Sequence, residues 1–350
     1  MNIKKVEKIR TILKEKKLDS VLIEKQSNFS WLTGGRGFVA LASEGACGSI
    51  LVTKDNVYLV ANSIESGRLL DEEAGSDLTP IYSLWYEGNS KADMLKYTGD
   101  KVATDTELSQ EFFNVRTILD DDEIADYSYA GIKTGAALEN AMKDLKKGMT
   151  EFELAGDISA RLWKLGFEPI VLLIAFDWRI QKYRHPLPTG NKLENLAMGV
   201  VCARYKGLVV SATRLVYIGS ELPADLRRRH DAVVAVDGLV INKTRPGISE
   251  SELFKIIKDG YTDFGYINEE HLHHQGGLTG YGAREKIASP SSNGIVALNQ
   301  AYAWNPSITG TKSEDTIIVG ENDNKVISYT GEWEYLTAHG YLRPDILLIK

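Results

Sequence analysis

The chain has 350 residues, 43% of them hydrophobic and 25% charged, with a formal net charge of −7. That length holds two domains with a core each, and the acidic balance argues against a nucleic-acid partner, which would favour a basic face. No apolar run approaches the roughly 20 residues of a membrane span, and the two cysteines, Cys47 and Cys202, are too few for a zinc–thiolate site. The charged, periodic start has no signal-type stretch, so the expectation is a cytoplasmic protein with both thiols reduced.

Apolar residues at Ile3, Val6, Ile9, Ile12 and Leu13 predict a helix over 3–17. Apolar runs at 20–23, 48–53 and 57–60, with Gly, Asp and Asn between them, predict strands. A helix over 62–74, a strand at 79–83, a helix over 88–97 and a strand at 101–104 complete an alternating pattern. Alternation of this kind makes a helix-covered sheet, a small α/β domain over 1–118. From the acidic run Asp120–Glu123 the texture changes. Amphipathic segments at 120–146 and 150–166 follow, the second opened by Thr150 with Glu153 three residues on, a capping-box signal. Strands are expected at 170–176, 196–204 and 207–218, helices at 222–241 and 249–259, and strands at 270–275, 299–306 and 315–328. Helices first and then paired strands predict an α+β domain over 119–350 with a curved antiparallel sheet.

Several motifs in this order carry a resemblance. CARYKGLVVSATRLVYIG (202–219) resembles the two central strands of the pita-bread fold shared by creatinase and aminopeptidase P, keeping the Gly207, Thr213 and Arg214 frame. HHQGGLTGYGARE (273–285) resembles that family's His-rich glycine loop, and AYAWNPSITGTKSEDTIIV (301–319) its Glu-Pro-Gly and Arg-x-Glu-Asp-Thr segments. The upstream MTEFELAGDISARLWKLGFEP resembles its paired helices, and NFSWLTG the opening of a creatinase-type N-terminal domain. The fold implied is a pita-bread domain preceded by that smaller domain.

Metal-dependent relatives hold two divalent ions with two Asp, one His and two Glu. Carried over, the two Asp fall on Val200 and Ser211, the His on Gly277, one Glu on Asn305 and the other on Glu314. A shift in the His loop brings His273 or His274 nearer instead. The two Asp cannot be restored, because no Asp occurs between 178 and 224. The expectation is therefore no dinuclear metal and no cofactor.

Creatinase in this family works without metal, and the resemblance then places its catalytic histidine on His185 and its carboxylate-binding arginine on Arg284. Imidazole suits proton exchange near neutral pH, and guanidinium suits bidentate carboxylate binding. Glu314 remains as the one carried-over carboxylate. The two glutamates that grip creatine's guanidinium fall on Thr213 and Asn305, so a neutral, amide-like group held by Asn305, Thr213 and Ser211 is expected instead. His273 and His274 are further candidates for the substrate pocket. In creatinase-like homodimers the partner's N-terminal domain closes the pocket, a part that Arg36 with Phe38 or Trp31 would take.

Each candidate has a plainer reading. His185 precedes Pro186 and can cap a strand. On a strand, His271 and His273 share one face and His274 takes the other, and an H-x-H-H run can also hold one metal ion. Arg284 can pair with Glu285, and Glu314 with Lys312 or Arg214. The run Arg227–His230 reads as a solvated helix face, and GGLTGYG lacks the context of a nucleotide loop. The leading expectation is a metal-independent enzyme acting on a C–N bond of a small carboxylate-bearing molecule or short peptide. Two others stand beside it: an Xaa-Pro metallopeptidase, and a non-catalytic peptide- or ligand-binding protein.

Overall fold

The computed structural model describes residues 1–88 and 90–350; Asn89, within the helix predicted over 88–97, lies outside the described residues. The chain divides into two compact units, Met1–Thr117 and Ile118–Lys350.

In the first unit the opening helix, Ile3–Lys16, starts where the Asn2 side chain accepts the Lys5 N–H and ends at Lys17 in the left-handed region. It buries Val6, Ile9, Ile12 and Leu13, the stripe that its spacing predicts. Five strands, β1 (Ser20–Lys25), β2 (Gly45–Thr53), β3 (Val57–Asn62), β4 (Thr79–Ser83) and β5 (Val102–Thr104), form one sheet in the order β4-β3-β2-β1-β5. β1, β2 and β3 pair antiparallel, whereas β4 and β5 join the edges in parallel. The helices Gln26–Thr33 and Ser109–Arg116 were not foreseen in the sequence. Trp31, on the first of them, packs edge-on against Phe112 and is buried. It is therefore a core residue and cannot close a pocket in a second copy.

The second unit opens with helices Asp121–Lys143 and Glu151–Trp163, each with a complete capping box, Asp120 with Glu123 and Thr150 with Glu153. Behind them lies a four-stranded sheet of β6 (Glu168–Phe176), β7 (Leu196–Tyr205), β8 (Leu208–Ile218) and, at the edge, β17 (Ile346–Ile349), in the order β17-β8-β7-β6. β6, β7 and β8 pair antiparallel, and β17 adds in parallel. β7 is buried along almost its whole length, which explains its unbroken apolar run. Two further helices, Ala224–Lys243 and Glu250–Asp263, lead to a second sheet. It contains β9 (Gly276–Thr279), β10 (Ala301–Trp304), β13 (Asp315–Ile318) and β14 (Lys325–Val326), with short hairpins β11 (Ser307–Ile308)/β12 (Thr311–Lys312) and β15 (Tyr335–Ala338)/β16 (Tyr341–Pro344) beside it. The architecture is α+β in two domains.

Two expectations change here. The strand predicted over 270–275 is instead a short 3-10 turn, Glu269–His271, followed by irregular chain. Asn268 at φ 71 turns the backbone into it, so the two-residue alternation of side chains does not apply to the histidines. His230, read as part of a solvated basic face, is buried: its ring meets Thr311 Oγ1 at 2.7 Å and the Pro344 carbonyl at 3.1 Å.

Candidate active site

Glu314 is the hub. It sits between β12 and β13, where its backbone carbonyl accepts the Thr213 N–H of β8 at 3.1 Å. Its carboxylate accepts from Thr213 Oγ1 at 2.7 Å, pairs with Lys312 Nζ at 2.7 Å and accepts from Arg284 Nη2 at 3.0 Å. Burial alone would raise this carboxyl, but Lys312 and then Arg284 hold it at about 2. Arg284 is fixed further by donating from Nη1 to Ser211 Oγ at 3.1 Å and to the Ala283 carbonyl at 2.6 Å. Its Nε is buried with no hydrogen-bond partner among the described residues.

Three imidazoles stand beside this hub. His185 follows the short helix Trp178–Lys182 and is exposed. Its Nε2 lies 3.0 Å from Nε2 of the buried His273. The His273 and His274 rings stack with centroids 4.4 Å apart, and His185 is 5.6 Å from His274. The loop is anchored through Gln275, whose side chain donates to the His273 carbonyl at 2.5 Å and accepts from Tyr261 Oη at 2.6 Å. Burial and then Lys312 lower the His185 pKa; burial and then Arg284 lower that of His274 to about 4. His273 is driven down further, by burial first. At neutral pH all three are therefore neutral, each with one N–H and one lone pair, and across the 3.0 Å contact one of the His185 and His273 Nε2 atoms donates to the other.

A cavity of about 330 Å³ opens on this arrangement, lined by His185, His274, Arg284, Asn305, Lys312 and Glu314 over an apolar floor that includes Val200 and Cys202. Of the predicted residues, the structure thus gathers His185, His274, Arg284, Asn305 and Glu314 on one cavity, with His273 directly behind. Asn305 Oδ1 is buried without a partner among the described residues and remains available. Ser211 and Thr213 stand one layer back, committed to Arg284 and Glu314, and are outside the lining. Arg36 lies in the first unit and is exposed. Glu314 meets Lys312 and Arg284 rather than Arg214, whose partners are Glu139 and Asp315. Glu285 accepts the Gly282 N–H at 2.9 Å, so the second loop carboxylate shapes the turn. Lys312 is the residue that sequence reasoning undervalued; its charge and its K-S-E spacing to Glu314 were the available signal. A larger cavity of about 470 Å³ lies beside the start of β7. Its Asp177 is already spent on the backbone N–H groups of Glu194, Asn195 and Leu196.

The sequence pattern of metallopeptidase family M24 matches residues 125–321, and that of the creatinase/prolidase N-terminal domain matches residues 5–130. The chain belongs to metallopeptidase family M24. It is 24% identical to an Xaa-Pro dipeptidase of Pyrococcus horikoshii, over 93% of this chain and 97% of that protein. It is 23% identical to the Bacillus subtilis uncharacterized peptidase YqhT, over 93% and 98%. Its fold is similar to the crystal structure of the prolidase from Pyrococcus horikoshii OT3, with a TM-score of 0.78 at 21% identity over 93% of this chain and 98% of that one. The architecture is that of the pita-bread superfamily.

The family name implies a metal centre. At the carried-over positions Val200 is part of an apolar cluster, and Ser211 is held by Arg284. Gly277 is in β9 with φ 152, where a Cβ would meet the Lys286 carbonyl at 2.3 Å. That glycine serves close backbone approach, and the imidazole that this loop sends into the cavity is His274. One carboxylate remains, and two protein cations already sit on it. This set does not fit a pair of divalent ions, which need several anionic oxygens to offset four positive charges.

Proposed function

We propose that this M24 member hydrolyses a C–N bond in a small carboxylate-bearing molecule, dipeptide-like in size, with Lys312 and Arg284 supplying the positive charge that a dinuclear centre would supply. The observation that carries the reading is the Glu314 hub. Its two cations are fixed at 2.7 and 3.0 Å from one buried carboxylate, on the wall of a cavity that also presents His185. The cavity volume is that of a small-molecule site.

In this reading His185 takes a proton from the attacking water and returns it to the departing amine. Arg284 and Lys312 stabilise the tetrahedral oxyanion, fixed charges that need no reorganisation as the reaction proceeds. Arg284 Nε is a donor left over for the substrate carboxylate, and Asn305 Oδ1 an acceptor for a substrate N–H. The chain is further proposed to work as a cytoplasmic homodimer, with Arg36 of a second copy near the cavity mouth; sedimentation at assay concentrations checks the dimer.

A second reading is favoured by the relatives, which are named as Xaa-Pro dipeptidases: an Xaa-Pro dipeptidase that takes up metal. One experiment separates the two. Xaa-Pro dipeptides and N-acyl and N-carbamoyl amino acids are offered to chelator-treated protein, with and without added manganese, cobalt or zinc. Turnover that survives the chelator supports the proposal, and turnover only with manganese or cobalt supports the second reading. Ligand binding without turnover under every condition indicates a binding protein.

A further inference from the structure

We propose that His185, His273 and His274 form a site for one divalent transition-metal ion of the zinc class, built from imidazoles alone and separate from the dinuclear positions. One ligand atom from each ring lies within 4.8 Å of the others. The Nε2 nitrogens of His185 and His273 are already 3.0 Å apart. Ligand nitrogens stand roughly 2.0–2.1 Å from zinc, which sets two of them about 3.4 Å apart on a tetrahedral ion. The pair therefore needs to open by only about 0.4 Å. Closing the third ligand requires His274 to turn out of its 4.4 Å stack on His273.

A second, independent observation points to a ligand. The buried Nδ1 of His274 has no hydrogen-bond partner among the described residues and is free for the third ligand position, whereas the orphaned Nδ1 of His273 belongs to a ring that binds through Nε2. Buried polar atoms are seldom left in that condition. The backbone under the two rings is held by Gln275, whose carbonyl accepts the Asn305 N–H at 3.1 Å. His185, on the solvent side, leaves a fourth coordination position open. The cations acting on the rings have their own counter-ions: Lys312 and Arg284 pair with Glu314 at 2.7 and 3.0 Å, and Arg184 with Glu269 at 2.5 Å. An all-imidazole set selects zinc, cobalt, nickel or copper, and disfavours manganese and magnesium, which prefer oxygen.

Occupancy has a consequence that rests on the hydrolytic reading above. The ion takes the lone pair that His185 would use as a base, so zinc inhibits turnover, the reverse of activation in a metallopeptidase.

The test is a titration of the full chain, stripped of metal, with Co²⁺ followed by its visible d–d absorption, and with Zn²⁺ by competition. The expected result is one Co²⁺ per chain with the intense bands of a tetrahedral site, displaced by Zn²⁺. His185→Ala, an exposed position where folding is not at issue, weakens binding about a hundredfold or more, as does His273→Leu in protein that unfolds at the wild-type temperature. Failure of Co²⁺ to bind, binding that both variants leave unchanged, or equal affinity for Mn²⁺ overturns the proposal. The readout needs no substrate, so its failure leaves the hydrolytic reading standing, and absence of turnover leaves this site standing.

Discussion

Two neighbouring acids, Glu314 and Asp315, anchor two buried charge clusters of opposite character. Asp315 faces Arg214 and Arg343, and those two guanidiniums also meet Glu139 and Asp237. Two cations are answered by three carboxylates, with Ser328 Oγ donating to Asp315 at 2.6 Å and Arg214 donating to the Ser328 carbonyl at 3.1 Å. Glu314 faces two cations alone, and around it Arg284 Nε, Asn305 Oδ1 and two histidine Nδ1 atoms have no hydrogen-bond partner among the described residues. The first cluster stitches β8, β13 and the helix Asp121–Lys143 together. The second keeps donors and acceptors in reserve on the wall of a cavity. Asp237 Oδ1 and Arg343 Nη2 of the first cluster also lack a hydrogen-bond partner among the described residues, but that Nη2 stands 2.7 and 2.8 Å from two carboxylates, so the difference between the clusters is that the second lines a cavity.

The largest effect expected from breaking this contrast is on the structural side. Arg214→Met strands Glu139 in the core and leaves Asp315 with Arg343 alone, and is predicted to cost about 3–5 kcal/mol, read as a lower denaturation midpoint. Glu314→Gln comes next, at about 1–3 kcal/mol, because the amide still accepts from Thr213 while Lys312 and Arg284 lose their counter-charge. The same variant abolishes turnover, whereas an Arg214 variant that folds retains the cavity.

Acid sharpens the comparison. Burial lowers the His230 pKa from 6.5 to about 4, so the native state binds its proton later than the unfolded chain. That stability is complete above pH 6.5 and drains away as pH falls to about 4. Glu314 is depressed from 4.5 to about 2, so its contribution is complete above pH 4.5 and is lost as pH falls towards 2. Thermal midpoints against pH are therefore predicted to fall in two successive stages, and Glu314→Gln should erase the lower one. The smallest expected change in stability is for Asn305→Ala, which removes a buried acceptor that has no partner. Its midpoint stays level or rises, while affinity for an amide-bearing ligand drops; unchanged affinity would remove Asn305 from the site.

The sequence shows most plainly what is encoded locally. Capping boxes at Asp120 and Thr150 mark both long helices, and the apolar run around Gly207 marks the β7–β8 hairpin. The His loop misleads because one left-handed residue, Asn268, and a 3-10 turn cancel the strand period that the H-x-H-H spacing implies. β17 escapes notice because its partner β8 lies well over a hundred residues away and joins it in parallel. The missing aspartates follow from the family resemblance, which places them on Val200 and Ser211, together with the absence of any Asp between 178 and 224. The Lys312–Glu314 pair was within reach of the sequence, but that Arg284 joins it was not, since that depends on two segments 30 residues apart meeting.

Metal stoichiometry tests the central claim, that protein cations stand where a dinuclear centre would need anions. Stripped protein is dialysed to equilibrium against manganese, cobalt or zinc, and the bound metal is counted per chain. The account predicts no manganese and at most one cobalt or zinc ion, lost in His185→Ala. Two ions per chain, retained when His185 is removed, would contradict it.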